Sequence, residues 1–484
     1  MIRYLIPFMC CLALCLLFCM RMHLSNVMVM LVPDKNDTSN WGRSNGGLDH
    51  GNQSKCNTGT FRTFDWNEKT QHIILGAFYV GYAVMPIPGG WLAWKIGGKR
   101  VICFSVVWTC IMTALIPFSA GISVGLLVAL RALDGLGQGI AVPGIYVILG
   151  KWAHPNERST MISISLSGLC LGVLVSSYAS TWMSTAVIFG GWQFSFTAYA
   201  IMGALWSLAW ATLIYETPDK HPFISSKERE HINSLLSEDE QKKTHSVPWL
   251  DILTSPPVLT VTLCIVAFEF GYYALLSEMS QYYTLILGYH FAKADLLILI
   301  PHLIQFIIKI TCGFLADVII YRSYLDVLST RKMFVAITLG VSSFCLVSLN
   351  YFDSSATIAT VLVSVAYSVH GFDVAGIFSN PMDISTPFSG IIAGLMMTAS
   401  NATGFIGPLI LEMLTQDENT RKQWNVFFLL IAGIQAFGLV VFLAYAQAEE
   451  QEWSKNARIR EDERKSLFRR RSNSEDVLET ASNY

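Results

Sequence analysis

Several ionisable side chains of this sequence stand inside long apolar runs, where a charge costs several kcal/mol unless it faces a cavity or a partner. Arg21 lies past the middle of the first run, within Leu17-Phe18-Cys19-Met20-Arg21-Met22-His23-Leu24. It is either a structural cation paired with a neighbouring segment or a ligand for an incoming carboxylate. Arg131, Asp134 and Gln138 follow at i, i+3 and i+7, a spacing that puts all three on one face of a helix. Arg131 and Asp134 can neutralise each other locally. Alternatively Arg131 adds to an anion-binding field while Asp134 carries a proton. Further on, Glu269, Glu278 and Lys309 are each embedded in apolar sequence. A pair of Glu269 with Lys309 cancels both costs in a structural or gating role, and direct work on substrate or proton is the other reading. Tyr82, Tyr146, Tyr272 and Tyr273 offer hydroxyls to a cavity, although tyrosines in such runs also serve packing.

Enzyme constellations are missing from this sequence. It has no phosphate-binding Walker loop, no G-x-S-x-G, no H-E-x-x-H and no CxxC pair. No catalytic residue, cofactor or metal site is therefore expected. Without an ATP site, gradient-driven transport or passive conduction remains.

The elements that must hold these residues are membrane helices. Of 484 residues, 52% are hydrophobic and 14% charged, where roughly 25% charge is ordinary for a water-soluble chain. Apolar runs of about 20 residues or more, enough to cross a bilayer, occupy roughly 4–32, 71–92, 101–120, 122–148, 159–181, 192–215, 256–287, 291–316, 333–351, 355–378, 388–414 and 423–446. The first run continues to about Val32 with no small-residue cleavage site after a short core, so it reads as a retained helix. The result is an all-α membrane protein of about twelve transmembrane helices in two six-helix bundles. The predicted organisation is an N-terminal bundle at 1–215, a hydrophilic linker at 216–255, a C-terminal bundle at 256–446 and a polar, disordered tail at 447–484.

Lys95, Lys99, Arg100, Lys151, Arg158, Arg322, Arg331 and Lys332 fall on one side with the linker and Arg469-Arg470-Arg471, which marks that side and both termini as cytosolic. The opposite side carries the long loop 33–70 with glycosylation sequons at Asn36 and Asn52. A third sequon, at Asn401, lies within an apolar span and is discounted. Net charge is −2 and the basic residues are dispersed, so nucleic acid is not an expected partner. An internal echo supports duplication: Gly90-Trp91-Leu92-Ala93 and Gly313-Phe314-Leu315-Ala316 both read G-x-L-A, each at the end of the second helix of a six-helix half.

Longer stretches carry a family resemblance over most of the chain: Phe64-Asp65-Trp66, Gly81-Tyr82 with Ile87-Pro88-Gly89-Gly90-Trp91, Arg131 to Gly139, Trp152-Ala153-His154-Pro155-Asn156-Glu157-Arg158-Ser159, Val247-Pro248-Trp249 and Asn380-Pro381-Met382-Asp383-Ile384. Together they resemble the anion:cation symporter family of the major facilitator superfamily, the group of sialin-like, vesicular glutamate transporter-like and sodium/phosphate cotransporter-like proteins. That resemblance implies symport or exchange of small organic anions with protons or sodium, by alternating access at a site between two halves. It implies Arg21 and Arg131 as cavity arginines, Asp134 as an acidic position tied to proton coupling, Tyr82 and Tyr273 as aromatic cavity positions, and Glu157-Arg158 as a structural or gating pair. Two positions depart from the pattern. Gln138 stands where such members carry a glutamate and Tyr146 where they carry a histidine, and neither titrates near neutral pH. Glu269 is then a second coupling candidate.

The expectation is a secondary active anion transporter, not an enzyme, in the membrane of a lysosome or vesicle or in the plasma membrane. A sodium-dependent phosphate or urate carrier is the alternative within transport, and an uncoupled anion channel or receptor the alternative outside it.

Overall fold

Inside hydrocarbon a backbone must satisfy its own N–H and C=O groups, so each apolar run becomes a helix. The structure is a computed structural model and describes residues 2–31, 64–185, 192–233, 246–351, 355–416 and 419–457. Asn36, Asn52 and Arg469 to Arg471 lie outside the described residues.

The first half contains α1 (Leu5–Leu31), α2 (Glu68–Val84), α3 (Pro86–Ile96), α4 (Gly98–Ile122), α5 (Val124–Gly139), α6 (Ala141–Trp152), α7 (Arg158–Thr185) and α8 (Trp192–Leu213). Two short helices follow, α9 (Ser226–Asn233) and α10 (Trp249–Thr254). The second half contains α11 (Pro256–Gln281), α12 (Phe291–Tyr321), α13 (Val327–Val335), α14 (Ser342–Ser348), α15 (Ala356–Ser368), α16 (Asn380–Ile384), α17 (Ser389–Asn401), α18 (Thr403–Thr415) and α19 (Arg421–Tyr445). Among the described residues eleven segments are long and apolar enough to cross a bilayer, and the bent pair α2 and α3 makes a twelfth. The bend is 47°. Pro86 explains it, because its ring clashes with the preceding turn and it has no N–H to donate.

Within the first half α1 packs on α7, α2 on α5, and α4 on α5 and α8; within the second, α11 and α14 pack on α19 and α12 on α15. Small residues permit the tightest crossings. A Cβ on Gly81 would lie 2.0 Å from the Ala132 carbonyl oxygen, and one on Gly135 would lie 2.0 Å from that of Phe78. Both G-x-L-A glycines sit where the two halves meet. Gly90 of α3 abuts the Gly390 backbone of α17, while Gly313 of α12 abuts Ser159 and Ser163 of α7. The repeated motif therefore marks two equivalent crossings between bundles.

The halves are fastened at the end that carries the linker. Asp317, just after the second G-x-L-A, accepts the N–H groups of Ser159 and Thr160 at 3.1 and 2.7 Å, across the bundle boundary and at the start of α7, where the helix dipole favours an anion. Arg331 forks onto Asp383 at 2.7 and 3.3 Å and reaches Ser159 Oγ at 2.9 Å. At the first motif the matching position is Trp94, which stacks on Phe388 with centroids 6.4 Å apart. Glu216, the first linker residue, caps α4 through the N–H groups of Gly98 and Lys99 and pairs with Lys151.

The segment after α19 corrects an expectation. Residues 447–457 do not form part of a free tail. The Gln451 N–H donates to the Ile384 carbonyl at 3.1 Å, Ser454 bonds Ser385 at 2.9 Å, and Trp453 lies 5.9 Å from the Phe388 ring. One aromatic anchor and a few backbone partners suffice to order a stretch whose composition is polar.

Candidate functional site

Arg21 is brought by α1 against one face of α2. Its guanidinium carbon lies 4.5 Å from the Tyr79 ring, 4.9 Å from Tyr82, 5.0 Å from Phe78 and 5.6 Å from Phe18. Ring faces present negative charge density, so this cage stabilises a cation away from water. Arg21 is only 6% exposed, and among the described residues no carboxylate pairs with it. Tyr273, on α11 of the other bundle, lies within electrostatic range of the same guanidinium. The Asn401 side chain, at the break between α17 and α18, donates to the Tyr82 carbonyl at 3.3 Å. Both bundles thus contribute to the surroundings of one buried cation.

The helix face read from the spacing on α5 is present. Arg131 donates to Asp134 at 3.3 Å and to the backbone oxygen of Arg21 at 3.3 Å, and its guanidinium also lies 5.0 Å from Phe78. Gln138 donates to the other Asp134 oxygen at 3.2 Å. Asp134 is thus held by one cation and one amide, all buried. The count across α1 and α5 is two guanidinium groups against one carboxylate, so the cluster has room for one more negative charge.

Of the two readings of Glu269 and Lys309, their mutual pairing is not formed. Lys309 of α12 instead contacts Asp373 at 2.8 Å. Asp373 follows a 3-10 turn at Val369–Phe372 and precedes a π turn at Val374–Phe378, and this change of helical pitch aims its carboxylate at α12. The available signal is an ionisable aspartate inside the apolar span 355–378, in Ser368-Val369-His370-Gly371-Phe372-Asp373. Glu269 is buried on α11 within electrostatic range of Arg21 on one side and of Lys309 and Asp373 on the other.

Two other groups stand away from this centre. Glu157 accepts from Arg3 at 2.9 Å and Arg158 reaches the Met382 carbonyl at 3.5 Å, both at the linker end. Beside them His154 stacks on His231 with centroids 4.6 Å apart; burial first, and then the neighbouring imidazole, hold His154 below the usual histidine range. Tyr146 joins the two bundles. Its hydroxyl is buried and donates to the Phe378 carbonyl of the other bundle at 2.6 Å. Phe78 and Tyr79, which complete the arginine cage, had no signal beyond being aromatic and one turn from Tyr82. Among the described residues no group of three or more His, Cys, Asp or Glu is placed to hold a metal ion.

Comparison with known proteins gives a consistent picture. The chain matches the Major Facilitator Superfamily over residues 10–408. It is 32% identical to sialin of Homo sapiens over 397 residues, covering 82% of this chain and 79% of that one. It is 28% identical to vesicular glutamate transporter 1 of Bos taurus over 464 residues, covering 95% and 80%. Its fold resembles that of the proton:xylose symporter XylE bound to 6-bromo-6-deoxy-D-glucose, with a TM-score of 0.64 at 14% identity over 92% of this chain and 96% of the other.

Proposed function

Because this chain belongs to the major facilitator superfamily, and within it to the anion:cation symporter family, its activity is secondary active transport of organic anions, and we propose that the anion is held by Arg21 and Arg131. The observation that carries this reading is the Arg21 guanidinium, buried in an aromatic cage of the N-terminal bundle with no carboxylate paired to it among the described residues. A carboxylate arriving there supplies the missing charge and two acceptor oxygens that match the planar guanidinium. Tyr82 and Tyr273 flank it from the two bundles. Asp134, with Glu269, carries the coupling ion, a proton or sodium.

The mechanism is alternating access. The bundles touch through α7 with α12 and through α17 with α3 and α6, so the linker end is shut. With that end in the cytosol, the cytosolic path to the site is the closed one. Arg158 acts in gating by holding the Met382 carbonyl of the other bundle, while Glu157 with Arg3 and Lys309 with Asp373 are structural charges that each brace one bundle from within. The loop 33–70, with Asn36 and Asn52 as glycan acceptors, faces the other way, and the membrane is that of a vesicle, a lysosome or the cell surface.

The test is uptake of radiolabelled glutamate, lactate, glucuronate and phosphate into proteoliposomes, with pH and sodium gradients imposed separately. Accumulation above the external concentration under one gradient is expected for a carboxylate. A phosphate-only profile supports a sodium/phosphate carrier instead, and equilibration without accumulation supports a channel. Wild-type rates in correctly inserted Arg21→Ala at low substrate would remove the arginine assignment.

A further inference from the structure

We propose that the Lys309–Asp373 pair is a second coupling site, in the C-terminal bundle, where Asp373 takes up and releases the proton that drives transport. The inference rests on the transport reading above and adds a residue that the spacing of charged groups did not reveal.

The geometry is asymmetric. One Asp373 oxygen, Oδ2, meets Lys309 Nζ at 2.8 Å, while Oδ1 is buried without a hydrogen-bond partner. A buried oxygen in that condition is the natural seat for a proton, because protonation removes an unmet acceptor. The pair is not isolated in apolar packing. Within the same bundle the side chains of Gln305, His370 and Gln435 also bury polar atoms that find no partner, although Gln435 and His370 lie 3.1 Å apart. Gln305 lies one turn before Lys309 and His370 three residues before Asp373. Buried polar atoms in such numbers call for water, and a short file of waters is what a proton needs to reach Asp373.

The groups that face Asp373 from the packed elements are Lys309 and Cys312 of α12, Glu269 of α11, Cys170 of α7, Tyr146 of α6 and Tyr367 of α15. Only Lys309 among them is a cation. When a proton adds to Oδ1, the carboxylate becomes a neutral acid, Lys309 keeps its proton, and the pair gains one positive charge. That charge is no longer held by Asp373, so it is free to attract Glu269 or the anion. The reverse step returns the proton to the opposite side once that side has opened.

A mechanical link connects this pair to the closed end. The π turn directly after Asp373 frees backbone carbonyls, and two of them are taken from outside the helix: Phe378 accepts from Tyr146 of the other bundle, and Ala375 accepts from Arg331 at 2.9 Å. Arg331 is the same residue that reaches Ser159 across the boundary. Relaxing the turn when the ion pair weakens therefore acts on two inter-bundle contacts together.

The experiment compares wild type, Asp373→Asn and Lys309→Gln/Asp373→Asn in proteoliposomes, using the labelled carboxylates named above. Counterflow from preloaded vesicles needs no net proton movement, whereas accumulation under a pH gradient does. Asp373→Asn should keep counterflow within about 3-fold of wild type and lose accumulation, its inside-to-outside ratio falling to about 1, as expected when the coupling step alone is removed. The double variant should behave the same way. Accumulation by Asp373→Asn, recovery of accumulation in the charge-neutral double variant, or loss of counterflow in both variants would each assign the pair a structural role and overturn the proposal. Wild-type counterflow with no accumulation under a pH gradient also overturns it while leaving the anion assignment standing. An absence of wild-type counterflow for every anion removes the transport reading and this site together.

Discussion

Each bundle buries charged side chains at membrane depth, but the two settle them differently. In the N-terminal bundle Arg131 is paired with Asp134 at 3.3 Å while Arg21 rests on aromatic rings without a carboxylate. In the C-terminal bundle Lys309 and Asp373 are matched at 2.8 Å, and among the described residues Glu269 and Glu278 are buried carboxylates without an ion pair, Glu269 being the one within electrostatic range of Arg21. One side therefore carries a surplus cation and the other a surplus carboxylate, facing one another across the bundle boundary. A site of this kind favours an anion near the first bundle and a coupling cation near the second. It also means that the helices carrying the two surpluses are drawn together whenever neither ligand is bound.

The strongest test of this asymmetry is removal of the surplus cation. Arg21→Ala is expected to lower the initial rate of carboxylate uptake by about 100-fold at low substrate, since a charge-assisted hydrogen bond lost from a buried site is worth about 1.5–3 kcal/mol. Arg21→Lys, which keeps the charge but loses the planar fork and ring stacking, should fall between. On the matched side the expected loss is in stability. Lys309→Ala leaves Asp373 buried without its cation and should cost about 3–5 kcal/mol, read as a lower melting temperature in detergent, whereas Lys309→Ala/Asp373→Ala should recover most of it. Similar melting of the single and double variants would show that the pair is not balanced as described.

Smaller effects are expected at the linker end, where the two G-x-L-A repeats differ. Asp317→Asn weakens two hydrogen bonds to the start of α7. At about 1–2 kcal/mol, it should raise labelling of a cysteine placed at Ser389 from the linker side by about 5- to 30-fold. Trp453→Ala removes an aromatic contact of about 0.5–1.5 kcal/mol. Proteolysis just after α19 should rise by a few fold while transport stays near wild type. The smallest effect is expected at His154. Its pKa is depressed when it is packed against His231, so the undocked form binds protons more readily. Docking of α9 should hold above about pH 6.5 and weaken as pH falls below it, read as faster hydrogen exchange over Ser226–Asn233.

Much of the architecture was legible because the bilayer imposes a long-range rule that sequence obeys locally. Twelve apolar runs, loop charge and a duplicated glycine motif need no knowledge of which helix touches which. The i, i+3, i+7 face of Arg131, Asp134 and Gln138 was legible for the same reason, since helical spacing alone puts those side chains together. The pairing of Lys309 was not. It depends on a pitch change between Val369 and Phe378 that turns Asp373 toward α12 and leaves Glu269 near Arg21. Helical phase through an α, 3-10 and π succession is decided by packing rather than by composition.

The sequence by itself determined that this chain is a two-bundle membrane helical protein, that Arg21 is buried at depth, and that one face of α5 is charged, because each follows from the bilayer's exclusion of polar groups and from helical periodicity. Only the tertiary structure decided which buried charges meet, that Trp94 and Asp317 close the two repeated crossings by different means, and that residues 447–457 are docked. Those outcomes rest on contacts between residues from about sixty to about three hundred positions apart, and Lys309 is partnered by the carboxylate that packing brings within about 4 Å, not by the nearest one along the chain.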